Sequence, residues 1–181
     1  MMRYKNYPMS HRADDEEESR STRQARKPRK PQKTALMYAV DLLARQEQSE
    51  AKLREKLARK GYEEGEIDAA IARLVEKHYL NDADACRRQF AFLYNESRSS
   101  VRQICLKLQQ RGFEASLVRQ CVPRDTFERE QKAALKNLSL KFKPSADQQK
   151  MLSSLYRAGF DTSVCREAVE EFTAEAEEEN L

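Results

Sequence analysis

The sequence predicts an all-α chain whose folded body is three tandem three-helix repeats. Three observations carry this. Glycine is scarce, 4 in 181 residues, beside 5 prolines and no tryptophan, too few turn formers for a sandwich or barrel. Apolar residues recur three and four apart through most of the chain, the period of a helix with one buried face. One eight-position register, ending each helix with its own glycine, occurs three times.

Residues 1–33 set an acidic block, Asp14 to Glu18, beside a basic run with prolines from Arg20 to Lys33, without apolar periodicity. They are expected to be a disordered charged extension. The body begins near Thr34. Ala35, Leu36, Ala39, Leu42 and Leu43 give a helix over 35–46. Ser49 is the expected N-cap of the next, with Leu53 and Leu57 on its apolar face and Gly61 ending it. Arg59 and Lys60 suit the negative end of that helix dipole. Ile67, Ile71, Leu74 and Val75 mark a third helix over 63–78, and Tyr79-Leu80-Asn81-Asp82 connects to a fourth over 82–97, striped by Cys86, Phe90 and Leu93.

The register then returns. Ser49, Leu53, Leu57, Gly61, Tyr62, Glu63, Ile67 and Ile71 become, 51 residues on, Ser100, Ile104, Leu108, Gly112, Phe113, Glu114, Val118 and Val122. The third copy, 98 residues on, is Asp147, Met151, Leu155, Gly159, Phe160, Asp161, Cys165 and Val169. Each copy reads as N-cap, two core residues, helix stop, aromatic, acid at the next helix start, and two core residues. A glycine is required where the chain leaves a helix in the left-handed conformation. The fourth glycine, Gly65, is placed in the turn of the first copy. A leading helix per copy (35–46, 82–97 and 125–142) completes repeats over 34–81, 82–123 and 124–172. Residues 173–181 are an acidic tail, read as a frayed extension of the last helix that competes with anions for the basic body.

The net charge of +4 hides that division: residues 1–33 carry +5, the body from 34 to 166 carries +6, and residues 167–181 carry −7. A basic body suggests a polyanionic neighbour. Catalysis is not expected. No glycine-rich phosphate loop occurs, the two histidines have no nucleophile partner, and no Cys-x-x-Cys pair holds a metal. No cofactor is expected. The four cysteines sit at apolar helical positions as reduced thiols. With no apolar leader and no stretch approaching the ~20 residues of a membrane span, the expected setting is the cytoplasm.

The order of these elements resembles the RecX family, regulators of the RecA recombinase. The resemblance is carried by Ala-Leu-x-Tyr-Ala-x-x-Leu-Leu-Ala-Arg (35–45), by Ser49-x-x-x-Leu-Arg-x-Lys-Leu-x-x-Lys-Gly-Tyr62 and by the connector after Ile67, Ile71 and Leu74. The string Val101-Arg102-Gln103-Ile104 to Arg111-Gly112-Phe113 and Leu155-Tyr156-Arg157-Ala158-Gly159-Phe160 extend it, so that it covers about residues 35–172. The family's usual connector is Gly-Tyr-Leu-Asp-Asp; here His78 stands in place of the glycine and Asn81 in place of one aspartate. The loop before the second unit, Asn95 to Ser100, lacks the family's glycine. The resemblance implies an elongated, curved modular array that binds the RecA–DNA filament in its groove, as a monomer without a membrane. By the same resemblance it would restrain RecA ATPase, filament growth and strand exchange, and would belong to DNA repair, recombination and the SOS response. Single- and double-stranded DNA would be met through the filament.

The residues that would carry such binding are cations. Arg87, Arg88, Arg98, Arg102, Lys107 and Arg111 face only Glu96 between residues 86 and 111. Arg102 and Lys107 flank the Val101, Ile104, Cys105 and Leu108 stripe, so neither is needed in a core. Lys52, Lys56, Arg59 and Lys60 form a second basic face, interrupted by Glu50 and Glu55. These cations would contact phosphate or an acidic protein surface; the bland reading is that they solubilise helices. Phe90 and Phe113 belong to the core, while Phe92 is free to meet a partner. Tyr79 and Leu80 are expected to pin the connector, and His78 to end a helix. The alternatives to filament regulation are a general helical-repeat scaffold and a stand-alone nucleic-acid binder.

Overall fold

The computed structural model of the chain describes residues 33–178, with side chains as far as Ala174. Among the described residues the fold is all-α, with nine helices and no strand. They are α1 (Ala35–Arg45), α2 (Glu50–Lys60), α3 (Glu64–Glu76), α4 (Asp82–Glu96), α5 (Val101–Gln110), α6 (Ala115–Cys121), α7 (Phe127–Lys141), α8 (Gln148–Arg157) and α9 (Thr162–Glu178). The expected disordered extension lies outside the described residues except for Lys33. That residue pairs with Asp41 and accepts a 2.7 Å hydrogen bond from the Tyr62 hydroxyl on its carbonyl.

The helices gather three at a time around separate cores. Leu53, Leu57, Ile67, Ile71, Leu74 and Leu80 centre the first, with Ala35 and Ala39 of α1. Cys86, Phe90, Ile104, Leu108, Phe113 and Val118 fill the second. Ala134, Leu138, Met151, Leu155, Phe160, Val164, Cys165, Ala168, Val169 and Phe172 form the third. Of the twelve apolar register positions all are buried except Val122, which is half-buried at the end of the short α6.

The middle helix of each trio, α2, α5 and α8, begins and ends alike. Ser49, Ser100 and Asp147 cap it by accepting from N–H groups two or three residues on. Gly61, Gly112 and Gly159 end it with φ of 92°, 87° and 83°. Each glycine N–H then bonds the carbonyl three residues back, and the aromatic after it the carbonyl five back: Tyr62 to Leu57, Phe113 to Leu108, Phe160 to Leu155. This is the Schellman closure, with its accompanying apolar contact. Glu63 caps α3 in a capping box with Glu66, and Asp161 accepts from the Ser163 N–H at the start of α9. That amide and the Ser163 hydroxyl hold the Asp161 carboxyl below its ordinary range.

Two expectations change. Gly65 lies in the first turn of α3, not in a turn between helices. Tyr79 is 72% exposed, so Leu80 alone pins the connector. The tail expected to extend the last helix continues α9 as far as Glu178. The four thiols are free, Cys86 and Cys165 buried. Burial pushes the Cys86 thiol up to about 12 and the Cys165 thiol up to about 11, so both stay protonated hydrophobes.

Candidate functional site

Seven of the ten candidate cations collect where one repeat meets the next, and the junctions are built twice on one plan. At the first, the Ser49 hydroxyl that caps α2 donates a 2.6 Å bond to the Arg111 carbonyl ending α5. At the second, Ser100 capping α5 donates a 2.7 Å bond to the Ala158 carbonyl ending α8. A hydroxyl does both jobs because it accepts from its own helix while donating to the next. The following glycine lies against that serine: a Cβ on Gly112 would come within 2.6 Å of Ser49 Oγ, and one on Gly159 within 3.1 Å of Ser100 Oγ. Each junction also holds a carboxylate, half-buried at the first and buried at the second. Asp82 of α4 accepts from the Glu50 N–H at 2.9 Å, and Glu130 of α7 from the Val101 N–H at 2.5 Å. Burial pushes both carboxyls up, against the pull of those amides.

Arg129 locks the second junction. Its guanidinium, 15% exposed, donates to the carbonyls of Leu93 (3.4 Å), Tyr94 (2.9 Å), Ser97 (2.9 Å) and Ser99 (2.5 Å), and lies 4.8 Å from the Tyr94 ring centroid. Asn137 adds a 2.7 Å bond to the Arg98 carbonyl. The α4–α5 loop is thereby fixed to α7 without the family's glycine.

Open hollows mark these junctions. At the first, Lys52, Lys56 and Arg111 line one of about 170 Å³, and Arg88, Phe92 and Arg111 an adjoining one of about 370 Å³. At the second, Arg98 and Lys136 line a groove of about 600 Å³ with Leu140 and three serines. Lys107 reaches that loop through a 2.9 Å bond to the Ser99 hydroxyl. The Arg102 side chain lies beside Gly159 at the same junction. The structure therefore brings together Lys52, Lys56, Arg88 and Arg111 at one junction, and Arg98, Arg102 and Lys107 at the other. It leaves out Arg87, paired with Asp84 on its own helix, and Arg59 and Lys60. Those two end α2 far from its junction, Arg59 paired with Glu55 and Lys60 5.8 Å from the Tyr38 ring centroid. Phe92 is 66% exposed, as expected of a free aromatic.

Two residues of the site escaped the sequence reading. Lys136 and the clamp Arg129 lie on α7, whose register follows α4 at an offset of 48, one more than the 47 residues that separate the second and third copies of the glycine-stop register. Along that offset Asp82, Cys86, Phe90 and Phe92 answer to Glu130, Ala134, Leu138 and Leu140, and Arg88 to Lys136. A search for that second period would have found the lysine.

The family model for the RecX first three-helix domain matches residues 35–74. The regulatory protein RecX of Vibrio parahaemolyticus is 32% identical over 67% of this chain and 81% of its own length. That of Chlorobaculum tepidum is 31% identical over 75% of this chain and 86% of its own. The crystal structure of RecX from Lactobacillus salivarius superposes with a TM-score of 0.65 at 18% identity, over 76% of this chain and 94% of that one. A second RecX crystal structure superposes with a TM-score of 0.66 at 20% identity, over 75% and 71%.

Proposed function

The chain belongs to the RecX family of regulatory proteins, and from that premise we propose that it binds the RecA–DNA filament and restrains RecA ATPase, filament growth and strand exchange. The observation that carries the reading is the gathering of cations at the two repeat junctions, where adjoining repeats make one continuous surface. Arg98, Arg102, Lys107 and Arg111 pair with no carboxylate among the described residues. Such cations exchange condensed counterions for phosphate contacts, which favours a filament that displays DNA along its groove. Arg87 and Arg59, tied to Asp84 and Glu55, contribute little, as do Lys52, 2.6 Å from Glu55, and Arg88, paired with Glu47, at the first junction. The protein acts as a cytoplasmic monomer, without catalysis, meeting DNA through the filament in recombination and the SOS response. No described helix is long and apolar enough to cross a membrane.

The test is the single-strand-DNA-dependent ATPase of RecA, measured with increasing amounts of this protein. ATP turnover should fall as the protein approaches the amount of RecA, and the variant carrying Arg98→Glu, Arg102→Glu and Lys107→Glu should lose most of that effect while remaining helical by circular dichroism. An ATPase unmoved at stoichiometric protein defeats the reading. A charge-reversed variant that inhibits normally moves the contact to another surface, as a general scaffold would have it.

A further inference from the structure

Three of the four thiols belong to one repeat. Cys86 of α4 lies in the second core, and Cys105 of α5 and Cys121 of α6 pack against it. Cys121 Sγ is 3.8 Å from Cys86 Sγ and 3.3 Å from the Leu117 carbonyl oxygen. The other repeats supply the comparison. The spacing of the helix caps Thr34 and Asn81 takes Ala39 to Cys86, and the 48-residue offset takes Cys86 to Ala134. The glycine-stop register takes Ala70 to Cys121 and Cys121 to Ala168. All four alanines are buried. Where the first and third repeats place two methyl groups, the second places two thiols, so packing alone asks for no sulfur there. We infer that Cys86 and Cys121 are an oxidation site, a dithiol that a hydroperoxide converts to a disulfide, stapling the end of α6 to α4. The site is independent of the proposed filament contact.

The order of events follows from exposure. Cys121 is half-buried at the last position of α6, whereas Cys86 is fully buried and burial keeps its thiol protonated. An oxidant therefore meets Cys121 first. The Cys121 sulfur gives an electron pair to one peroxide oxygen, the O–O bond breaks, and Cys121 becomes a sulfenic acid as the other oxygen leaves as an alcohol or water. Cys86 Sγ then attacks the Cys121 sulfur. The S–S bond forms, the S–OH bond breaks, and the Cys86 proton departs with that hydroxide as water. Two thiols are oxidised and one hydroperoxide is reduced. The sulfurs have to close by about 1.8 Å to reach a bond of about 2.05 Å. The end of α6 can supply that shift. The helix has 7 residues and stops at Cys121, with Pro123 just beyond, whereas α3 continues past Ala70 to Glu76 and α9 past Ala168 to Glu178. Within a reducing compartment such a pair rests as thiols and closes only under oxidant.

The test exposes the full native chain to hydrogen peroxide, blocks the remaining thiols with iodoacetamide in denaturant, and maps the peptides by mass spectrometry. Cys86 and Cys121 should be recovered joined, with Cys105 and Cys165 alkylated, and dithiothreitol should restore all four thiols. The oxidised chain should unfold at a higher urea concentration, because a cross-link between residues 35 apart restricts the unfolded chain. The two roles are read with dimedone, which traps sulfenic acid. Cys86→Ala gives the second repeat the residue that the other two carry, so it should stay folded, and Cys121 should then take the label that it escapes in the wild type. Cys121→Ala should leave Cys86 unlabelled. Four alkylated thiols after peroxide overturn the assignment, as does a link that forms only in urea or one that runs through Cys105. Equal labelling of Cys121 with and without Cys86 overturns it too, and so does Cys121 recovered as sulfinic acid beside an unmodified Cys86.

Discussion

His78 shows how one residue records a constraint of the backbone. It is the only non-glycine with positive φ among the described residues, at 58°. Its N–H bonds the Val75 carbonyl at 3.0 Å and the Tyr79 N–H bonds Leu74 at 2.9 Å. This is the closure used by the three glycine stops, made here by a side chain that has to tolerate it. A glycine at this place would meet that conformational need without strain, and the histidine keeps the turn at a steric cost. The residue is exposed and ends α3 without a further contact that its ring must hold. His78→Gly should raise stability by about 1 kcal/mol, read as a shift of the urea midpoint with an unchanged denaturant slope. A lower midpoint would mean that the imidazole makes a contact worth more than the strain.

At the scale of the element, the three glycine stops look identical in sequence but do different work. Gly61 has open space where a Cβ would go, so Gly61→Ala should cost only the left-handed penalty, about 1 kcal/mol. At Gly159 a Cβ would lie 3.1 Å from Ser100 Oγ, a neighbour that must shift. At Gly112 it would strike Ser49 Oγ at 2.6 Å, with the Lys52 backbone nitrogen at 3.3 Å behind it, so overpacking adds roughly 1–3 kcal/mol more. Thermal melts of the three alanine variants should rank Gly112 worst, Gly159 next and Gly61 mildest; equal losses would mean that the junctions yield freely. The helix stops, N-caps and core positions were legible because each follows from a local rule of spacing or capping. The second role of Gly112 and Gly159 was not, since it depends on which helix end lies against which serine. Asp147 marks the same limit. In sequence it is a third N-cap equivalent to Ser49 and Ser100, yet a carboxylate accepts from Gln149 and Lys150 and has no proton to donate onward. It caps its own helix and cannot repeat the junction bond. Lys136 escaped because α7 follows α4 at an offset of 48 while the adjoining register repeats at 47, and Arg129 because its equivalent at that offset is Asn81, so no repeat period places it.

For the whole molecule the question is whether three small cores behave as one. A trio of about 45 residues buries too little to be secure alone, so stability is shared through the junctions. The second junction rests on Arg129, which ties α7 of the third repeat to four carbonyls of the second and pairs with the buried Glu130 at 3.5 Å. Burial lowers the Arg129 pKa from its ordinary value and raises that of Glu130, the direction expected of a pair held out of water. Removing one partner strands the other, a loss of about 3–5 kcal/mol. Arg129→Ala should therefore do more than lower the midpoint. With the α4–α5 loop released, the third repeat should unfold apart from the first two. Wild-type protein should give one urea transition by circular dichroism, and the variant two, or one with a visibly shallower slope. Arg129→Lys should fall with alanine, because an ammonium cannot span four carbonyls as the planar guanidinium does. Arg98, Arg102 and Lys107 lie on that junction, so the variant should also weaken restraint of the RecA ATPase under conditions where all helices remain formed. A single sharp transition together with undiminished restraint of RecA would show that the repeats are coupled through the serine and carboxylate bonds alone, with Arg129 dispensable to the array.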